Sequence, residues 1–219
     1  GGVLATDNAV IPYAVGVDIA CRMRLSIFDM AESILKTETA FLKDVLMEQT
    51  RFGSGSHFKP GDRWAHPVLE SADWQETSFL KSLHGKAVEQ LGTSGGGNHF
   101  VEWGTFTLDV PDSALGIDEP RTYLALLSHS GSRAVGYKIA NRYSKLAGEQ
   151  HPYLPNEVKH LAWLPMDSDL GREYWLSMQL AGEFASANHA VVHERIAQAT
   201  DFPALAVVEN HHNFAWQEQ

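Results

Sequence analysis

Four glycines within six residues break the regularity of this chain at one place. Gly92 and Gly95–Gly97, inside Leu91–Gly104 (LGTSGGGNHFVEWG), leave a backbone almost bare of side chains. Such a backbone adopts positive φ freely and lets another group approach its peptide units closely. Asn98 and His99 follow at once, and Glu102 comes three residues after His99. A donor, an imidazole and a carboxylate behind a glycine nest make up an anion or nucleotide site with a metal or proton-transfer group beside it. A glycine-rich turn feeding an ordinary strand, Phe100–Leu108, fits the same residues, because glycine loops are common.

The remaining segments arrange themselves around that loop. Before it, Ala9–Phe28 reads as two strand-like runs, AVIPYAVGV and MRLSIF, joined by Asp18–Cys21. Residues three apart on a strand point to opposite faces, so Asp18 and Cys21 meet only if the backbone between them turns. Taken alone, Cys21 is a small buried hydrophobe and Asp18 a turn residue. Phe41, Leu42, Val45 and Leu46 predict a helix over Thr37–Gln49, and Leu80, Leu83, Ala87 and Leu91 a second over Ser78–Leu91. The long loop between them carries His57 and His66, which read as surface residues.

Beyond the glycine loop, TYLALL (Thr122–Leu127) predicts a strand ending in Ser128-His129-Ser130-Gly131-Ser132-Arg133 and passing into a helix, Ala134–Ala147. The free N–H groups at that helix start lie near His129 and Arg133 and suit an anion; an ordinary serine cap is the plainer alternative. Ser168–Thr200 has the longest helical pattern, with Ser168 or Asp169 as its cap. His189 and His193 sit on it at i, i+4, the spacing of a two-histidine metal grip. No HExxH context surrounds them, and histidines facing solvent or RNA fit as well. PALAVV (Pro203–Val208) is a last strand, ending in Glu209-Asn210-His211-His212-Asn213-Phe214.

Bulk properties narrow the function. With 219 residues and 44% hydrophobic content the chain can bury a real core, and residues 1–219 read as one domain. The pattern predicts an α+β (mixed α/β) fold, antiparallel-rich sheets flanked by the four helices. No apolar run approaches the roughly 20 residues of a membrane helix. The opening residues lack a basic leader pattern, and a single cysteine excludes an internal disulfide framework. Both point to a reducing, cytoplasmic setting. A net charge of −10 argues against a broad, sequence-independent grip on DNA or RNA. A local basic or metal-filled pocket is compatible with it.

Three strand ends finish in a histidine with polar company: Asn98-His99, His129 and His212-Asn213. A fourth segment carries Asp18 and Cys21. Catalytic groups commonly sit on loops at strand ends. Three imidazoles, one thiolate and one carboxylate suffice for two metal ions with the thiolate as a bridge. By ligand type alone the metal would be zinc, since thiolate and imidazole are softer than manganese prefers.

GVDIAC, LGTSGGGNHFVEWG, HSGSRAVG and NHHNF, in that order, resemble the successive motifs of the RtcB-type RNA-splicing ligases. The resemblance runs along the whole chain. It implies an enzyme that uses GTP and two manganese ions to join RNA ends bearing a 2′,3′-cyclic phosphate or 3′-phosphate to 5′-hydroxyl ends. It implies that Asp18, Cys21 and His99 hold one manganese and Cys21, His129 and His212 the other. It assigns Asn98, Glu102 and Asn213 to the guanylate and Arg133 to an RNA phosphate, for which a guanidinium fork is suited. Two departures stand out. Arg22 follows the metal-binding cysteine where the family usually has glycine, and would either crowd the metals or reach for a phosphate. The nucleotide-accepting histidine of the family lies in an HRKGA-like motif, and no RKG triplet occurs in these residues. The resemblance therefore implies a central, metal-binding part of such a ligase, not competent for ligation alone. A binuclear phosphoester hydrolase and a non-catalytic paralogue that binds RNA ends or metal are the competing readings.

Overall fold

The computed structural model describes residues 2–218. Strand β1 (Ala9–Val10) leads into a single helical turn, α1 (Pro12–Val15), then β2 (Arg22–Ala31), α2 (Ile34–Thr37) and α3 (Thr39–Gln49). Three short 3₁₀ turns precede α4 (Ser78–Gln90). β3 (Phe100–Thr107), β4 (Thr122–Ser130), α5 (Arg133–Gln150), β5 (Leu164–Pro165), α6 (Asp169–Thr200) and β6 (Ala204–His211) follow. The fold is α+β, as expected. Its main sheet has the order β3-β4-β2-β6 with every pair antiparallel, and β1 pairs with β5 separately.

Most predicted elements form, with two changes near the start. The run AVIPYAVGV yields only two strand residues, because Pro12 stands at the first helical position, where its fixed φ starts a turn. Thr37–Gln49 divides at Glu38 into α2 and α3. In the long loop, His57 is exposed, while His66 caps a 3₁₀ turn by accepting the Val68 N–H at 3.1 Å.

The helix α6 is the spine. Ser168 caps it by accepting the Gly171 N–H at 3.0 Å, and Asp201, at φ +55°, ends it in the left-handed region. One of its sides packs with α4 and α5 in a core that includes Leu80, Leu83, Ile139, Tyr143 and Phe184. The other side meets the sheet, where Val192 and Ile196 pack on Phe28, Val101 and Leu126. Each such side chain buried stabilises by about 1.5–3 kcal/mol. Between two layers, α6 has little surface left for solvent. His189 and His193 are accordingly buried, at 0% and 3% exposure, and the solvent- or RNA-facing expectation for them fails.

Sheet register decides where the loops go. Arg22, at the start of β2, pairs with Ser130 on β4 and with His211 on β6. Phe100, at the start of β3, pairs with His129. Residues 18–21, 98–99, 129–133 and 211–213 therefore arrive at one end of the sheet.

Candidate metal centre

The turn that brings Asp18 to Cys21 is real and held from outside. Cys21 N–H donates to the Asp18 carbonyl at 3.1 Å, and Ala20 adopts φ +56°. A non-glycine residue in that region carries strain that its surroundings must hold in place. The segment after β6 does so: Ala20 N–H donates to the Asn213 carbonyl at 2.6 Å, and His212 N–H to the Cys21 carbonyl at 2.9 Å. Sequence distance hides this contact entirely.

Five side chains converge. Cys21 Sγ lies 3.7 Å from His99 Nε2 and 3.2 Å from His129 Nε2. His129 Nε2 lies 3.3 Å from His212 Nε2. His99 Nε2 lies 2.7 Å from Asp18 Oδ2. The donor atoms form two groups, Asp18/Cys21/His99 and Cys21/His129/His212, each with its atoms within 4.8 Å of one another. Cys21 belongs to both. His129 Nδ1 faces the Asn98 carbonyl at 2.9 Å and so carries the ring proton, which leaves Nε2 with its lone pair toward Cys21.

The electrostatics suit a cation. Burial, then the Asp18 carboxylate beside it, pushes the Cys21 thiol far above its usual range. A thiol so placed becomes a thiolate only with positive charge at its sulfur. Burial also works to raise the Asp18 carboxyl, but the His99 hydrogen bond and charge outweigh it and hold the group below the ordinary value. Burial and then the neighbouring His129 lower His212 below its ordinary value. A carboxylate, a thiol and three imidazoles converging on one point fit one or two divalent ions as ligands.

The glycines have a steric reason here. A Cβ at Gly131 would overlap the Asp18 carboxylate, and one at Gly95 would overlap the Arg133 guanidinium. Arg133 lies beneath the glycine loop, donating from Nε to Thr93 Oγ1 at 3.1 Å and from Nη1 to His99 Nδ1 at 3.2 Å. Burial lowers its pKa, partly offset by Asp18. The start of α5 is not a free anion cradle. Ser132 donates to the Ile19 carbonyl at 2.6 Å instead of capping, and the side chain of Gln90 takes the Ala134 N–H at 3.0 Å.

The other expected residues border this centre. Asn98 is exposed beside it. Glu102 is exposed on β3, two residues from the Phe100–His129 pair and so on the same sheet face as His129. Asn213 is half-buried, with its side chain 3.4 Å from the Asp18 carbonyl. Arg22 neither crowds the centre nor reaches outward. Its buried guanidinium pairs with Glu209 and donates to the carbonyls of Ala20 and Gly182.

Asn188 is a residue that sequence reasoning missed. From α6 its side chain accepts the N–H groups of Gly92 and Thr93 at 2.8 and 3.2 Å and donates to the Thr93 carbonyl at 3.0 Å. It anchors the glycine loop at its root. An asparagine inside a long apolar helical stripe was the available signal.

Residues 1–219 match the family profile of the tRNA-splicing ligase RtcB. The chain belongs to the RtcB family. Its similarity to RtcB proteins is broad and even. It is 28% identical to "RNA-splicing ligase RtcB homolog 1" of Entamoeba dispar, over 91% of this chain and 43% of that protein. It is 29% identical to "tRNA-splicing ligase RtcB" of Nanoarchaeum equitans, over 87% and 46%. It is 26% identical to "RNA-splicing ligase RtcB" of Escherichia coli K12, over 100% and 57%. The chain spans about half the length of the curated RtcB relatives it matches. Among the described residues no helix is long and apolar enough to cross a membrane.

Proposed function

We propose that residues 1–219 are one domain, the metal-binding core of an RtcB-type RNA ligase. Its substrates are RNA ends, a 2′,3′-cyclic phosphate or 3′-phosphate and a 5′-hydroxyl, and its cofactors are GTP and manganese. The observation that carries this reading is the pair of ligand groups sharing Cys21, assembled from four separate segments. Asp18, Cys21 and His99 would hold one manganese ion, and Cys21, His129 and His212 the other. The ions would supply Lewis-acid neutralisation of phosphate charge. The donor chemistry alone favours a softer ion; manganese comes from the family.

The chain's own residues have the following parts. Asn98, Glu102 and Asn213 contact the guanylate at the rim of the centre. Arg133 supplies fixed positive charge beneath the glycine loop and is the phosphate grip. His129 is kept in its ligating tautomer by the Asn98 carbonyl. A reducing, cytoplasmic setting keeps Cys21 available as a ligand.

The test is metal analysis of the purified chain after manganese loading and desalting. The wild type should retain two ions. Cys21→Ala should lose both together, whereas His212→Ala should keep one. Full occupancy in Cys21→Ala rejects the shared ligand, and with it this assignment.

A further inference from the structure

The two buried histidines of α6 lie outside the metal centre, yet they form a row of polar contacts directly behind it. His189 Nδ1 and His193 Nε2 lie 2.6 and 2.7 Å from the Ser128 hydroxyl oxygen, and His193 Nδ1 lies 2.7 Å from that of Ser26. All four side chains are buried. Their i, i+4 spacing would suit a metal, but the Ser128 hydroxyl occupies the point at which both nitrogens aim. Each neutral ring has one N–H and each serine one O–H, so donors running one way along the row fill all three contacts. His189 Nε2 has no well-formed hydrogen bond among the described residues, only the Ser130 backbone near its ring. A row of buried hydrogen bonds contributes little net stability over aliphatic packing, and an unpaired buried nitrogen subtracts from it. Stability alone does not explain the row.

The other face of β4 does. Ser128 and His129 are consecutive, so their side chains leave the strand on opposite faces. Ser130 shares the face of Ser128 and donates to the Ser94 carbonyl at 2.6 Å, at the root of the glycine loop. His129 thus stands between two residues tied down behind the sheet. We propose that Ser128, clamped between His189 and His193, is a positioning residue for His129. The clamp fixes the twist of the β4 end and so aims His129 Nε2 at Cys21 and His212. This rests on the metal-centre reading and assigns the residues that orient one of its two ligand groups.

Cobalt(II) titration tests it, because a thiolate ligand gives cobalt a charge-transfer band. The wild type should bind two equivalents. Ser128→Ala should weaken the Cys21/His129/His212 equivalent by about tenfold or more, the usual cost of losing a group that orients a ligand, and leave the Asp18/Cys21/His99 equivalent unchanged. Ser128→Thr, which keeps the hydroxyl, should restore it. His193→Phe, which removes the contacts to the Ser128 and Ser26 hydroxyls and keeps a ring, should weaken the same equivalent and serves if Ser128→Ala does not fold. Val192→Ala, a buried apolar change on the same helix, should lower the urea midpoint without moving either cobalt constant. Two wild-type equivalents with Ser128→Ala and His193→Phe indistinguishable from wild type overturn the proposal alone. So does a Val192→Ala that weakens the same equivalent as much. A wild type that binds no cobalt at Cys21 overturns both this proposal and the metal-centre reading.

Discussion

Acid should destabilise this protein through His189 in a range where surface histidines have little effect. Burial, the largest influence on it, pulls the folded-state pKa of His189 from 6.5 down to about 4. The Ser130 backbone and Glu209 oppose that, and Arg22 and Arg24 reinforce it. Between those two values the unfolded chain binds a proton that the folded chain refuses, so stability rises with pH across this window and falls as pH drops through it. The contribution is fully present above pH 6.5 and is progressively lost down to about pH 4. Between pH 7 and pH 5 the loss is about 2 kcal/mol, a sizeable share of a total near 5–15 kcal/mol. His193, held well below its usual value by burial and then by Arg24, acts in the same direction. The assay is urea unfolding at pH 7, 6 and 5 with a chelator present, for wild type and for His189→Gln. The glutamine keeps a polar contact with Ser128 but cannot titrate. Wild type should lose about 2 kcal/mol more than the variant over this range. Parallel pH slopes would refute the reasoning, since they would mean that His189 is either hydrated or paired in its charged form.

Glu209→Ala should cost about 3–5 kcal/mol in urea unfolding, because it leaves the buried Arg22 without its carboxylate partner; an Arg22→Met/Glu209→Ala double variant should recover part of that loss. Gly95→Ala should destabilise by more than about 1 kcal/mol, since alanine is strained at φ +102° and its Cβ meets Arg133. Asn188→Ala should cost about 1–3 kcal/mol by leaving the buried N–H groups of Gly92 and Thr93 unpaired, read as a lower melting temperature. Incubated with labelled GTP and manganese, the 219-residue chain should give no labelled band on denaturing electrophoresis, because none of its eleven histidines lies in an HRKGA-like surrounding. A band abolished by one histidine substitution would reverse that conclusion.

Local pattern was enough for the elements themselves. Apolar spacing marked α4, α5, α6 and the strands β3 and β4, because each buries one stripe or face whatever its partner is, and the apolar run of β6 marked a strand that stays largely exposed and is held by pairing with β2. The ligand-type residues were legible too, since each stands next to a strand end: Cys21 and His99 just before β2 and β3 begin, His129 and His212 where β4 and β6 stop. What pattern did not show was how far burial would go. The stripe of α6 marked one buried side, and only the sheet packing on its second side took His189 and His193 out of water. Arg22 likewise showed its charge but not its partner: Glu209 lies 187 residues away and meets it through the β2–β6 register. The Asp18–Cys21 turn needed the Asn213 carbonyl, and the glycine loop needed Asn188. Residue type determines which groups can ligate, donate or bend; strand register and the second layer of packing determine which of them meet, because those contacts join residues whose separation along the chain carries no signal of their distance in space.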